Sequence, residues 1–261
     1  MPSKDMTADI EIIQFEHGWE RINSPVVMET SLSIFLNGEC IITLICTNNS
    51  KEFLAIGFLA IEGFISPAEM EKTKIISMDE ENIHIEASLS KSLPCNGEKI
   101  ITPGLGKGIT FSKGSQRLKA VRISSQLKIT SNQVFHLMKQ LSEKSTLYKL
   151  THGVHNAAIC SADGMEIFQS DIGRHNAIDK LYGQCLLEKI RLEEKVVVTS
   201  GRVSSEILTK VGLMGTPILI SRSAPTDKAV RLADRIGLTL IARVRGQKMS
   251  IYTHPERVSQ E

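Results

Sequence analysis

KVVVTSGRVSSEILTKVGLMGTPILISRSAPTDKAVRLADRIGLTLIARVRGQKMSIYT, residues 195–253, decides the fold class. KVVVTS is a short β-branched run that reads as a buried strand. SSEILTKVGLMG places Ile207, Leu208 and Val211 on one helical face. TPILISRS is a second strand. APTDKAVRLADRIG is a second helix, with Pro225 near its first turn and Gly237 at its end. LTLIARV and KMSIYT add two further strands. The order βαβαβ implies a parallel sheet joined by right-handed crossovers.

Open α/β sheets bind ligands beyond the carboxyl ends of their strands. Here VVVTS runs into Ser200-Gly201-Arg202, and PILIS runs into Ser221-Arg222-Ser223. Each turn sets a hydroxyl and a guanidinium just before a helix N-terminus, where free backbone N–H groups and the positive dipole end favour an anion. Arginine adds a planar fork suited to phosphate. One such turn is explained by helix capping and a solvated side chain; two on neighbouring strands predict a phosphate site. Arg243-Val244-Arg245-Gly246-Gln247-Lys248 is a basic turn between the last two strands. It reads either as a solvated hairpin or as a clamp on a phosphate or a guanine edge.

Working outward, SDIGRHNAIDK (170–180) packs Arg174, His175, Asn176 and Asp179 into a polar helix start. Spacing alone does not separate a functional histidine here from a hydrogen-bonded one. In THGVHNAAIC (151–160), His152 and His155 stand three apart with Cys160 beyond. Metal ligation is conceivable there, but AAIC reads as a strand and no fourth ligand stands at a familiar spacing, so a structural role is favoured. His84-Ile85-Glu86 followed by Pro94-Cys95 imitates a zinc-deaminase signature. The second cysteine of that signature falls on Glu98, and the interval is too short.

The amino-terminal part reads differently. VVMETSLSIFLNGECIITLIC (26–46) alternates like a pair of strands around an Asn37-Gly38 turn. Cys40 and Cys46, six apart, would share one strand face as small buried hydrophobes. In TNNSKEFLAIGFLAIEGFISPAEM (47–70), Asn48, Asn49 or Ser50 can cap a helix that Gly63 and Pro67 end. That helix is apolar nearly all round, as befits one that is buried or at a subunit interface. TPGLGKGITFSKG (102–114) reads as a flexible loop, 116–130 as a linker, and Asn132–Tyr148 as an amphipathic helix.

Composition bounds the function. The 261 residues carry 31 Lys and Arg against 29 Asp and Glu, a net charge of +2. That balance argues against a polybasic nucleic-acid binder and against a disordered chain. No apolar run approaches the roughly 20 residues that span a bilayer. MPSKDMTADIEIIQFEHG has neither the apolar stretch of a signal peptide nor the acid-poor composition of a transit peptide, which points to the cytoplasm. The five cysteines are few, odd in number and scattered, unlike a secreted disulfide framework. No CxxC occurs.

Taken together, EFLAIGFLAIEGFI, THGVHNAAIC, DIGRHNAIDKLYG, TSGRVSSEILTKVGLMGTPILISRSAPT and YTHPERV resemble the formate dehydrogenase accessory proteins of the FdhD/NarQ family, from about residue 50 to the end. The resemblance implies an α/β (α+β overall) chain: a smaller β-rich domain over 1–125 and a cytidine-deaminase-like α/β domain over 126–261, without a zinc site. It implies a homodimer that takes sulfur as a persulfide from a cysteine desulfurase. The sulfur passes to the molybdenum bis-molybdopterin guanine dinucleotide cofactor of the formate dehydrogenase apo-enzyme, with GDP as a mimic of that cofactor. Neither nucleic acid nor a membrane is an expected partner. The family's cofactor-binding stretch matches Arg243, Val244, Arg245, Gly246, Gln247 and Lys248. Its other turns match Ser200, Gly201, Arg202, Ser221 and Arg222, and its RHNA element brings in Arg174 and His175.

One position departs from the pattern. Where the family carries a loop cysteine, this chain has Leu105, whose aliphatic side chain cannot hold a persulfide. Cys95, ten residues upstream, is the substitute nucleophile. The competing reading is a chaperone that binds the cofactor without covalent sulfur chemistry. A nucleoside deaminase fails for want of metal ligands.

Overall fold

The computed structural model describes residues 6–87 and 117–260. Cys95, Leu105 and the glycine-rich stretch 102–114 lie outside the described residues. The chain is a mixed α/β protein, as its sequence predicts.

Four strands open the chain: β1 (Thr7–Phe15), β2 (Trp19–Val27), β3 (Thr30–Leu36) and β4 (Glu39–Cys46). β1 and β2 form a separate antiparallel ribbon whose tip exposes Phe15 and Trp19. β3 and β4 turn at Asn37 (φ 51°) and Gly38 (φ 84°), the left-handed pair that a tight hairpin requires. Helix α1 (Lys51–Glu62) follows, then a 3-10 turn (Pro67–Lys72), β5 (Lys74–Met78) and β6 (Asn82–Glu86). The resulting sheet has the order β4-β3-β6-β5.

One expectation about this sheet fails. Cys46 is buried and Cys40 is exposed. Ile34 pairs with Ile42 but Phe35 pairs with Cys40, so Ile41 is an extra residue in β4. Such a bulge shifts the side-chain alternation by one and turns Cys40 off the core face.

The larger half comprises β7 (Ile129–Thr130), α2 (Ser131–Lys144), α3 (Thr146–Thr151), β8 (His155–Cys160), β9 (Met165–Asp171), α4 (Arg174–Leu187), β10 (Val196–Thr199), α5 (Ser205–Met214), β11 (Ile218–Ser221), α6 (Asp227–Ile236), β12 (Thr239–Arg245), β13 (Lys248–Thr253) and β14 (Val258–Ser259). The single helix expected over Asn132–Tyr148 is two. It breaks at Ser145, whose hydroxyl folds back onto the carbonyl of Leu141 and competes with the helical ladder. Thr130 and Gln133 cap α2 reciprocally. Pro225 stands just before Thr226, the residue that caps α6 through its hydroxyl.

The main sheet has the order β13-β12-β11-β10-β8-β9. β10, β11 and β12 are parallel, as the βαβαβ reading requires, and β8 enters antiparallel beside β10. Its strands bury both faces. Val197, Leu219 and Leu240 face α5 and α6; Val196, Val198, Ile218, Ile220 and Ile241 face α2. The first of these cores is shared, because it continues through α4 and α1 to Leu32, Ile34, Leu36 and Ile85 of the smaller sheet. α1 is therefore buried, as its all-round apolarity predicts.

The joint between halves is close. A Cβ on Gly57 of α1 would fall 1.8 Å from the carbonyl oxygen of Asp179, and one on Gly183 of α4 would fall 1.9 Å from that of Phe53. Only hydrogen fits at this crossing. Beside it, Lys180 and Asp171, both fully buried, pair at 2.7 Å. Asp171 also accepts from the backbone N–H of Thr47 (3.1 Å), from Gly173 N (2.8 Å) and from Asn176 Nδ2 (2.9 Å). The end of β4 is thereby pinned to the turn that launches α4.

Candidate functional site

Parallel β10 and β11 end side by side, and their following turns are laced together. Arg222 N donates to Thr199 O (3.0 Å), and Ser221 Oγ donates to Gly201 O (2.8 Å). Arg243 N donates to Ser223 O (3.0 Å), which adds the end of β12. On the other side, Asn156 N donates to Ser200 Oγ (2.9 Å) and Ser200 N donates to Asn156 O (3.0 Å), which adds the start of antiparallel β8. Four strand ends thus form one rim.

Beyond that rim lies a cavity of about 610 Å³. Ser200, Arg222, Ser223 and Arg245 line it, together with Lys149, Tyr148, His152, His155 and Asn156 from α3 and β8. Among the described residues, no aspartate or glutamate lines it. With no carboxylate among the described lining residues, the field of Arg222 and Arg245 is directed at whatever enters.

The other predicted residues divide. Arg174, at the start of α4, packs against Gly201, where an added Cβ would stand 3.1 Å from its own Cβ. Burial first, and the neighbouring Arg202 second, disfavour its charge, while Glu206 supports it. Its Nε is buried without a partner. Arg174 and Arg202 therefore form a second cationic pair beside the wall of the cavity at Ser200 and His155. Burial lowers the pKa of His155, and Arg174 and Arg202 lower it further against the opposing pull of Asp171. His175 is pushed down to about 3 by burial, then by Lys210 and Arg174. Although its Nε2 lies 3.5 Å from Glu206, the imidazole is neutral at physiological pH. Arg174, Arg202, Arg222 and Arg245 supply the guanidinium charge of the region.

Ser221 is fully buried, its hydroxyl spent on Gly201 O and on the N–H of Ser223, so it braces the turns. Val244 lies in the core under α2. Of the basic turn, Arg245 lines the cavity, whereas Arg243, Gly246, Gln247 and Lys248 are exposed outside its lining. Arg243 adopts φ 57°, and the β12–β13 ladder is irregular between Ala242 and Arg245. Sequence reasoning missed Tyr148, Asn156 and Lys149. The only signal was the histidine spacing in THGVHNAAIC, which drew attention to metal. Among the described residues no three His, Cys, Asp or Glu side chains gather as a metal site.

The thiols can be ranked by their surroundings. Burial pushes Cys46 up to about 11, and Asp171 adds to the effect. Burial pushes Cys160 and Cys185 up to about 12, with Glu166 and Glu188 respectively as the next cause. A thiol held this far above neutrality supplies no thiolate. Cys40 is the exposed one among the described residues. Alkylation of the native protein with iodoacetamide near neutral pH is expected to label Cys40 and to spare Cys46, Cys160 and Cys185 until denaturant is added. Peptide mass spectrometry reads the result, and labelling of a buried thiol in native buffer would contradict this ranking.

These features define a class: an α/β protein with a basic cavity at the carboxyl edge of its main sheet, free of carboxylates among the described residues. The model of the FdhD/NarQ family matches residues 27–259, and the chain belongs to that family. It is 37% identical over 261 residues to the sulfur carrier protein FdhD of Bacillus subtilis (strain 168), covering 97% of this chain and 98% of that one. It is 36% identical over 262 residues to the sulfur carrier protein FdhD of Shouchella clausii (strain KSM-K16), covering 98% of each. Among solved structures, a candidate formate dehydrogenase accessory protein from Desulfotalea psychrophila shares the fold. Its TM-score is 0.80 at 23% identity, over 97% of this chain and all of that one. No helix among the described residues is long and apolar enough to cross a membrane.

Proposed function

We propose that this chain serves formate dehydrogenase maturation by holding the bis-molybdopterin guanine dinucleotide form of the molybdenum cofactor as cargo, gripped through its diphosphates. The observation that carries the reading is the cavity in which Arg222, Arg245, Ser200 and Ser223 converge with no acid among the described lining residues, and with Arg174 and Arg202 beside it. A diphosphate supplies the counter-charge that this cavity lacks, and guanidinium forks and hydroxyls are matched donors for its oxygens. Relatives bearing the name sulfur carrier protein support a part in sulfur transfer.

Binding is tested with GDP as the probe by isothermal titration calorimetry. Arg222→Ala is expected to weaken GDP by about 1.5–3 kcal/mol, the range of a charge-assisted contact. Unchanged affinity removes Arg222 from the site.

Sulfur transfer belongs to the same proposal. A cysteine thiolate of the chain attacks the terminal sulfur of a persulfide on a cysteine desulfurase. The S–S bond of that enzyme breaks, its cysteine leaves as thiolate, and the outer sulfur stays on the chain. With Cys46, Cys160 and Cys185 buried and protonated, the candidates for that thiolate are Cys95 and Cys40. Incubation with a desulfurase and cysteine, followed by intact mass and peptide mapping, is expected to find the added sulfur on Cys95. GDP binding with no adduct on any thiol would instead favour a cofactor chaperone free of covalent sulfur chemistry, the reading that Leu105 favours. The homodimer is tested by sedimentation velocity on the same protein.

A further inference from the structure

The β1–β2 ribbon takes no part in the site described above, and no residue of either strand is buried. Yet both of its faces carry large apolar side chains. The register assigns them: Ile12 opposes Ile22 and Ala8 opposes Val26 on one face, and Ile13 opposes Arg21 and Phe15 opposes Trp19 on the other. On this second face Trp19 is 79% exposed, Phe15 63% and Ile13 60%. The rings of Phe15 and Trp19 stand 5.0 Å apart with planes at 53°, a tilted pair at the tip. The body grips the ribbon at its root, where Val27 lies against Gly153 and Met28 N donates to Met6 O (2.9 Å). A two-stranded ribbon with its faces uncovered is marginal in water. A contiguous exposed apolar patch marks an interaction surface.

We infer that the Ile13–Phe15–Trp19 face of the ribbon packs on the same face of a second copy of this chain, in a two-fold contact. The charges on the face select that occupant. Asp9, Glu11 and Arg21 belong to it, and Glu11 and Arg21 are exposed and paired at 3.0 Å. A two-fold contact is isologous: whatever residue i meets across it, the facing residue meets i in turn. With the ribbons antiparallel and Arg21 over the partner subunit's Glu11, the order of layers along the strands brings Phe15 and Trp19 over the partner's Asp9 and the partner's Pro25. Proline packs flat on an aromatic ring, and a carboxylate accepts from an indole N–H. Each charged group of the face then has a partner of matching chemistry from the other copy. A foreign protein would need that pattern built separately, whereas a copy of the chain carries it already. The inference rests on the expectation above that copies associate, adds the surface by which they do so, and is independent of the cofactor.

The test uses the full chain and its own reporter. Trp19 is the one tryptophan of the sequence, so indole fluorescence reads the ribbon tip alone. Emission wavelength, acrylamide quenching and sedimentation velocity are followed as the protein is diluted. The associated form is expected to show blue-shifted, poorly quenched emission that becomes red-shifted and quenchable as the mass halves. Phe15→Ser leaves the reporter in place and is expected to raise the concentration at the association midpoint about tenfold or more, the effect of removing a central aromatic anchor. Phe15 is exposed, so circular dichroism and GDP binding of this variant should match wild type. Where wild type holds together at every dilution, the double variant Ile13→Ser with Phe15→Ser is expected to have half its mass. A dimer whose Trp19 stays solvated, or whose association these variants leave unchanged, overturns this surface and leaves the homodimer standing. Blue-shifted emission in a monomer puts the ribbon on its own body and overturns the inference. A chain that is monomeric with a solvated Trp19 at every concentration overturns the inference and the homodimer together.

Discussion

Gly57→Ala and Gly183→Ala each destabilise the fold by about 3 kcal/mol or more, at the top of the range for an overpacked core. The reason is geometric. Most small-to-large changes press on side chains that can rotate away. Here the added methyl meets backbone, the Asp179 carbonyl oxygen at 1.8 Å in one case and the Phe53 carbonyl oxygen at 1.9 Å in the other. Both oxygens belong to helical turns and cannot withdraw alone. α1 and α4 would have to separate along their length, opening the core on both sides of the crossing. Gly57 also stands 2.8 Å from where a Cβ on Gly183 would be, so the two substitutions strike one contact and their effects do not add. Urea denaturation followed by far-ultraviolet circular dichroism measures the loss. Gly215→Ala serves as the comparison, because no atom lies within 4 Å of its added Cβ, although φ 81° still exacts a local penalty. A Gly57→Ala protein as stable as wild type would mean that the helices do not cross as described.

The second large effect is expected at the buried ion pair. Asp171→Ala removes the carboxylate from Lys180 and leaves an ammonium at 0% exposure, which costs about 3–5 kcal/mol. Thr47 Oγ1 (2.8 Å) and Asn49 Oδ1 (2.9 Å) remain as acceptors for Lys180, but neither carries charge. Lys180→Met is expected to cost a comparable amount through the orphaned carboxylate. The double variant, Asp171→Leu with Lys180→Met, should lose much less than the sum, because each charge is costly only without the other. Equal additivity in this cycle would show that the pair is not coupled. Asp171→Ala also releases Gly173 and Asn176 at the head of α4, so Arg174 loses its fixed seat. A weaker hold on GDP by the folded fraction of this variant is the functional counterpart.

Much of this arrangement is legible in the sequence, and what is not has identifiable causes. The βαβαβ unit reads directly because its short β-branched runs and one-sided helices carry opposite periods. The two Ser/Arg turns follow from chain direction alone, since parallel strands end at the same edge. Cys40 misleads because nothing in GECIIT marks the extra residue at Ile41: the bulge contains neither glycine nor proline, and a period of two carried through it gives the wrong face. The break at Ser145 is equally silent, a hydroxyl choosing the carbonyl four residues back. Asn156 and Ser200 are 44 residues apart, and the antiparallel entry of β8 beside β10 that joins them has no local signature. Lys180 is hidden for the same reason. On a helical wheel it is an ordinary polar position, and only Asp171 and Thr47, the latter 133 residues away, make it an interior one.

The apolar core shared by the two sheets has a thermodynamic consequence. A body without an internal seam melts as one, and a ligand that prefers the native form raises the midpoint of the whole by mass action. Nucleotide held at the far edge of the large sheet would therefore slow amide exchange in β3 and β6 of the small one, tens of residues from any atom it touches. Occupancy is written across the entire molecule.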